Sequence, residues 1–387
     1  MQVEKLEDIC EIASGGTPKR SEDSYWKNGK IPWLKISDIK SKYVDKSEEH
    51  ITQKGLDNSS AKLFKKGTII YTIFATVGEV AILNIDATTN QAIAGLTIKD
   101  SAQINPSYLF YFLKSIKKQM HLLSRGVAQN NINLSVLRQI KVPIPDLNVQ
   151  ERIVNALDQM QNNIKLRQME LSKLDILIKA RFVEMFGDPG LAHRENKVCN
   201  LENVAEVRSS HRIFTREFTK SGVPFYRGTE ISLLANGKEP IHSYYISKAR
   251  YDEITKNDSK PKIGDLLMPS ICDKGQIWLV NTSKPFYYKD GRVLCISPNR
   301  EKFNTIFFHQ YMKMKSQIEY LKIGSGSTFA EFKIFQLKKL KINIPPLKLQ
   351  NEFASFVQQV DKSKVAIQKS LDETQILFDS LMQKYFS

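Results

Sequence analysis

Cysteine and histidine are scarce in this chain of 387 residues, and neither clusters. Cys10, Cys199, Cys272 and Cys295 form no CxxC pair, and the six histidines are scattered, which argues against a disulfide framework and against zinc. Free buried thiols in a reducing cytoplasm are the simplest expectation. Runs of about 18 apolar residues are missing, as is a basic-apolar-small leader after Met1, so a cytoplasmic protein without a membrane span is expected. Catalytic signatures are missing too. There is no GxxxxGK[ST] phosphate loop, no GxGxxG after a strand, and no Asn-Pro-Pro-Tyr tetrapeptide. Pro145-Asp146 lacks a Glu-x-Lys at nuclease spacing and lies in a helix run-in, while Glu331-Phe332-Lys333 reads as strand or loop. No catalytic, metal or cofactor site is therefore expected in this chain.

Proline and glycine are also absent from two stretches of equal length, and those stretches organise the sequence. From Val149 to Met185, Ile153, Leu157, Met160, Ile164, Leu171, Leu174, Ile178 and Phe182 recur at steps of three and four, interrupted by Arg167. From Leu349 to Tyr385, Phe353, Val357, Val360, Ile367, Leu371, Phe378 and Leu381 keep the same register, interrupted by Lys364. Alternating threes and fours over about five heptads mark helices that supercoil against a partner, each about 55 Å long. Gly187 and Pro189 predict the end of the first helix, and Asn148 is a plausible N-cap.

The duplication reaches beyond the helices. Leu6 to Ile12 is echoed by Leu201 to Val207, and Ile31 to Ile39 by Val223 to Ile231. Gly67 and Gly78 bracket an apolar run, as Gly264 and Gly275 do, and short aromatic-rich helices are predicted over Asn105 to Lys114 and Asn304 to Lys313. Short β-branched runs between turn signals predict a mixed, strongly curved sheet in each half. Leu191 to Lys197 reads as a polar linker. The net charge of +16 falls unevenly: +6 in residues 1–143, +11 in 191–343, −1 in 144–190 and 0 in 344–387. Globular segments that carry all the positive charge fit a polyanion-binding protein, although a solubilising lysine-rich surface gives the same sum.

The side chains suited to DNA lie in loop-like clusters. Thr17, Lys19 and Arg20 follow Gly15-Gly16, where glycines would let backbone approach a phosphate, and Arg208, His211 and Arg212 stand at the counterpart. Arg125, Gln129, Asn130 and Asn131 form a second cluster, set against Ser325 and Ser327. Arg, Asn and Gln are the residue types that pair with guanine and adenine edges. Lys35 and Arg227 hold matching positions in the two copies, and Lys274 adjoins Gly275; all three join the candidate DNA contacts.

Gly16-Thr17-Pro18, Tyr25-Trp26, Ile31-Pro32-Trp33-Leu34-Lys35, Pro143-Ile144-Pro145 with Gln150-Glu151-Arg152-Ile153, and Phe182 to Pro189, in this order, closely resemble the specificity subunit of type I restriction–modification enzymes. The resemblance spans nearly the whole chain, though the second half has Ser-Ser-His-Arg where the first has Gly-Gly-Thr-Pro. It implies an α+β fold of two tandem mixed α/β target-recognition domains, residues 1–145 and 189–345. They would be separated by long helices over 146–188 and 346–387 that form an antiparallel coiled coil, with an internal pseudo-two-fold repeat. It further implies a non-catalytic subunit that reads a split, asymmetric site in double-stranded DNA. Methyltransferase subunits, two of them, and restriction/translocase subunits would be recruited to it, and S-adenosylmethionine, ATP and magnesium would be held by those partners. A 55 Å rod spans about 16 base pairs. Two rivals remain open from the residues alone: a coiled-coil scaffold for protein partners with non-specific basic surfaces, and a self-sufficient nuclease or methylase.

Overall fold

The computed structural model describes residues 2–124, 131–191, 197–240, 244–256, 260–323 and 330–386. The chain divides into two compact units, Met1–Gln168 with Lys369–Ser387, and Met169–Gln368. The central helix, Leu147–Phe186, and the C-terminal helix, Leu347–Phe386, each run for 40 residues, about 60 Å. Each unit therefore contains one half of each long helix.

The first unit contains β1 (Gln2–Lys5), β2 (Cys10–Ser14), β3 (Ile31–Leu34), β4 (Tyr43–Val44), β5 (Glu49–Ile51), β6 (Ile69–Thr72), β7 (Val80–Leu83), β8 (Thr88–Thr89), β9 (Ile93–Ile98) and β10 (Lys141–Ile144). They form a five-stranded sheet in the order β2-β9-β6-β7-β4, a three-stranded sheet β5-β3-β8, and a β1-β10 ribbon. Pairing is antiparallel except for β4 with β7 and β3 with β8. The expectation of one curved sheet per half is corrected here, and β6 gives the reason. All four of its residues are buried, so both faces need cover. Ile69 and Tyr71 pack towards the helix Pro106–Ser115 and the long-helix segments, whereas Ile70 packs with Leu34 of β3 under the smaller sheet.

The second unit repeats this plan with β11 (Lys197–Asn200), β12 (Ala205–Arg208), β13 (Phe218–Thr219), β14 (Val223–Tyr226), β15 (Tyr244–Ile246), β16 (Leu266–Pro269), β17 (Trp278–Leu279), β18 (Tyr287–Tyr288), β19 (Val293–Pro298) and β20 (Lys341–Ile344). The sheets run β12-β19-β16-β17 and β13-β15-β14-β18, with a β11-β20 ribbon. Here Leu266 and Met268 face the helical layer while Leu267 packs under the smaller sheet. The predicted linker ends earlier than expected, since Lys197 already belongs to β11.

Within each unit the long-helix segments run antiparallel. In the second, Phe186 packs on Phe353 and Asp175 pairs with Lys364 at 2.7 Å, so eleven residues forward on one helix is eleven back on the other. In the first, Tyr108 touches Phe386 and donates to Pro143 O, while Tyr111 touches Phe378 and donates to Asp158. The expected seam is largely buried: Ile153, Leu157, Ile164, Ile178, Phe182, Phe353, Val357, Val360 and Phe378 are nearly inaccessible. Met160, Leu171, Leu174, Ile367, Leu371 and Leu381 are half-buried. Both interruptions are polar clamps between the helices. The Arg167 guanidinium donates to Ser370 O and Thr374 Oγ1, and Lys364 takes Asp175.

Run-in and exit follow local chemistry. The N-cap is Asp146 rather than Asn148: its carboxylate accepts from Val149 N at 3.0 Å, because the helix already starts at Leu147. Gly187 ends the central helix with a φ of 75°, and its N–H donates to Val183 O. The fully buried Gln150 then ties the helix to its domain. Its Oε1 accepts from Asn105 N at 2.9 Å, and its Nε2 donates to the carbonyls of Gln103 and Pro145, each at 2.8 Å. Gln350 repeats the bonds on Asn304 N, Lys302 O and Pro345 O. Asn105 and Asn304 cap the two predicted aromatic helices, the second of which runs on to Ile323. No helix among the described residues is long and apolar enough to cross a membrane.

Candidate nucleic-acid interface

In the first unit the candidates gather where β3 meets β5. Trp33 is opposite Glu49 in the ladder, and Trp26 stands edge-on to Trp33 with ring centroids 5.1 Å apart. The Arg20 guanidinium lies over both rings, 3.8 and 4.6 Å from their centroids, and pairs with Glu49. Lys35 reaches the same carboxylate at 2.8 Å. Arg20, and after it Lys35, holds the Glu49 carboxyl below the usual carboxylate range. Thr17 donates to Gln91, and Lys19 is exposed, with its carbonyl accepting from Trp26 Nε1.

The expected phosphate approach at Gly15-Gly16 is corrected. Both amides are used inside the protein, Gly15 N on Ile93 O and Gly16 N on Thr89 O. A Cβ on Gly15 would sit 2.0 Å from Thr89 Oγ1, and one on Gly16 would sit 2.4 Å from Ser60, so the close approach is to the protein's own backbone.

In the second unit the same ladder position carries different chemistry. Phe225 stands where Trp33 does, Phe218 packs on it at 5.3 Å, and its ladder partner is Tyr244 in place of a glutamate. Arg212 and Arg227 converge there on a cavity of about 330 Å³, with Phe214, Tyr244 and Lys289 also in its wall. Arg212 lies over Phe214 at 5.1 Å, Arg216 approaches the same ring at 5.3 Å, and Arg227 lies over Tyr244 at 4.5 Å. Arg227 also binds Glu230 through two nitrogens.

The other candidates separate. Arg208 is committed to the sheet, bonded to Ser297 at 2.6 Å and to the buried Asp265 at 3.2 Å. His211 has an exposed side chain, and its N–H donates to Tyr287 Oη. Lys274 is exposed after β16, with its carbonyl accepting from Gln317. Asn131 bridges to Phe74. Arg125, Gln129, Asn130, Ser325 and Ser327 lie outside the described residues. Glu331 pairs with Arg292, and Phe332 is buried, which makes that segment structural. Burial pushes the thiols of Cys10 and Cys295 up to about 12 and that of Cys272 to about 11, so none is a ready nucleophile.

Sequence reasoning took in Trp26 only as part of a motif and missed Glu49, Phe214 and Tyr244. The Arg-x-Phe-x-Arg spacing of Arg212, Phe214 and Arg216 was available as a cation-aromatic signal. Glu49 and Tyr244 correspond only through strand register, because the loops between their strands differ in length.

The model of the type I restriction modification DNA specificity domain matches residues 1–175 and again 193–375. The chain belongs to this family of specificity subunits. It is 26% identical to the type I restriction enzyme MjaIX specificity subunit of Methanocaldococcus jannaschii, over 99% of this chain and 91% of that one. Against a putative type I specificity subunit of Haemophilus influenzae it is 27% identical, over 71% of this chain and 69% of the other. Among solved structures, a chain from work on complex assembly and conformational transition of the type I R-M system superposes with a TM-score of 0.60 at 18% identity. The coverage is 100% of this chain and 97% of that one. The S subunit from M. genitalium gives 0.54 at 15% identity, covering 100% and 96%. At such identities the structures share the fold.

Proposed function

We propose that the chain is the non-catalytic DNA-reading subunit of a type I restriction–modification complex, each unit reading one half of a split, asymmetric sequence. One observation carries this: a single scaffold is built twice with its candidate face rewritten, Glu49 under Arg20 in one copy and Tyr244 under Arg227 in the other. Readers of like frame and unlike side chains suit two different half-sites. The location of the positive charge, +6 and +11 in the two globular segments against −1 and 0 in the helical ones, supports a polyanionic partner.

Partner recruitment has its own support. Ile176 and Leu177 are 62% and 46% exposed on the central helix, and Ile376 and Leu377 are 69% and 46% exposed at the matching place on the C-terminal helix. Exposed apolar pairs at equal positions, one pair in each unit, suit two copies of the same partner. On this reading those are methyltransferase subunits, with restriction/translocase subunits joining them, and S-adenosylmethionine, ATP and magnesium act there.

The test is a base-resolution methylome of cells carrying the gene beside its deletion. One split sequence modified only in the carrier is expected. Identical methylomes, in cells shown to express the methyltransferase, would instead favour a protein scaffold that ignores DNA.

A further inference from the structure

One place in the scaffold is filled in the first unit and open in the second. Gly95 and Cys295 hold the same ladder position, between Ala13 and Ile70 in one copy and between Arg208 and Leu267 in the other. In the first unit the buried Phe64 fills the space beside it. A Cβ on Gly95 would sit 2.3 Å from that ring, and Phe64 and Ala87 exchange backbone hydrogen bonds of 2.8 and 3.0 Å. Asp86, next to Ala87, pairs with Lys65 at 2.9 Å. In the second unit Arg208 lines a cavity of about 750 Å³ instead. The loop between β17 and β18 in its wall carries Thr282, Ser283 and Lys284, and no carboxylate.

Charge sets this cavity apart. Six basic and three acidic side chains line it, and the three carboxylates are already taken. Lys248 holds Asp252 at 2.9 Å, and Arg208 holds Asp265 and Glu206 at 3.2 and 3.3 Å. Lys284 and Arg300, both exposed, pair with no carboxylate among the described residues, and the Arg300 guanidinium donates to Ile263 O. Ile263 is itself 53% exposed, and with Pro285 it adds apolar surface to the wall. This cavity shares no lining residue with the one of about 330 Å³ at the candidate DNA face.

We infer that this cavity binds a small molecule with a diphosphate or triphosphate tail and an apolar body, a nucleoside polyphosphate being the plainest case. A surplus of basic groups whose wall carboxylates are all engaged calls for a polyanion rather than a single carboxylate. Lysine meets phosphate as a point charge and arginine as a fork, so the tail lies on Lys284 and Arg300. The body lies against Ile263 and Pro285. The volume falls within the range of about 300–1,000 Å³ usual for ligand pockets. The first unit has no such site, since Phe64 fills the space and Asp86 neutralises Lys65.

A free ligand and the DNA backbone offer the same phosphate chemistry, and two titrations separate them. In the first, ADP is titrated into the full chain without partners at constant ionic strength. One saturable site is expected, competed by inorganic pyrophosphate and not by adenosine. Lys284→Glu and Arg300→Gln should each weaken it about ten-fold. Lys348→Glu, an equal change of charge near the start of the C-terminal helix, should leave it unchanged. Absence of saturable binding, or an equal loss from Lys348→Glu, overturns the site. In the second titration, the salt dependence of duplex binding is compared between wild type and Lys284→Glu, each assembled with methyltransferase subunits. Equal slopes are expected. A slope shallower by about one in the variant marks a lost backbone contact, and it would give the cavity to DNA and overturn the free-ligand assignment.

Discussion

A buried side-chain amide is tolerated only when its donors and its acceptor are matched, and Gln150 and Gln350 satisfy that requirement with three bonds each. Leucine at either position leaves one N–H and two carbonyls unpaired beside a helix start. Gln150→Leu or Gln350→Leu should each cost about 2–4 kcal/mol in urea denaturation. A loss below about 0.5 kcal/mol would show that water replaces the amide. Gln150 was visible in the sequence as part of Gln-Glu-Arg-Ile, but its bonds were not, because its partners are backbone groups with no residue signature. His309 is a second case. Burial, then Lys313, pushes its imidazole down to about 4, against the hydrogen bond to Ile277 O that favours the charged ring. The unfolded chain therefore binds the extra proton first, near pH 6.5. The contribution of His309 is whole above that pH and fades as pH falls towards 4. Between pH 7.5 and 4.5, wild type should lose up to about 3 kcal/mol more than His309→Gln; parallel losses would refute the assignment.

At the scale of elements, the long helices were legible because their period is written in side chains that must be buried, and most of the expected seam is buried. The sheets were less legible. A four-residue apolar strand such as β6 does not announce that both its faces are covered, and so one layer was expected where two exist. The candidate face was least legible, because Glu49 and Tyr244 become equivalent only once strands pair. The two cations in the seam set a different question, whether they stabilise the helices or restrict how they align. Arg167 bonds to a carbonyl and a hydroxyl rather than to a carboxylate among the described residues, so its desolvation is weakly repaid. Arg167→Met should thus leave stability within about 1 kcal/mol. Phe353→Ala, which removes a fully buried ring standing edge-on to Phe182 and Phe186, should cost about 3–5 kcal/mol. Equal losses from the two substitutions, measured by thermal unfolding, would give the clamp a stabilising role. A neutral Arg167→Met with a broadened transition would instead point to alignment.

For the whole molecule, the chain order domain, helix, domain, helix makes a prediction that no single site makes. If each unit reads its half-site from its own loops, the reading chemistry and the spacing are separate properties, the first held in strands and loops and the second in the helices. One extra heptad placed at the same point in both helices lengthens each by about 10 Å, which corresponds to roughly three base pairs. Leu171 and Ile367 are suitable neighbours for the insertions, because both are only half-buried and lie far from Gln150 and Gln350. The methylome of such a variant should show the original half-sites, unchanged in sequence, on either side of a longer unread spacer. An unchanged spacer would mean that something other than helix length fixes the distance. Altered half-sites would mean that the helices reach into the reading face, and the separation of duties proposed for the two kinds of element would fail.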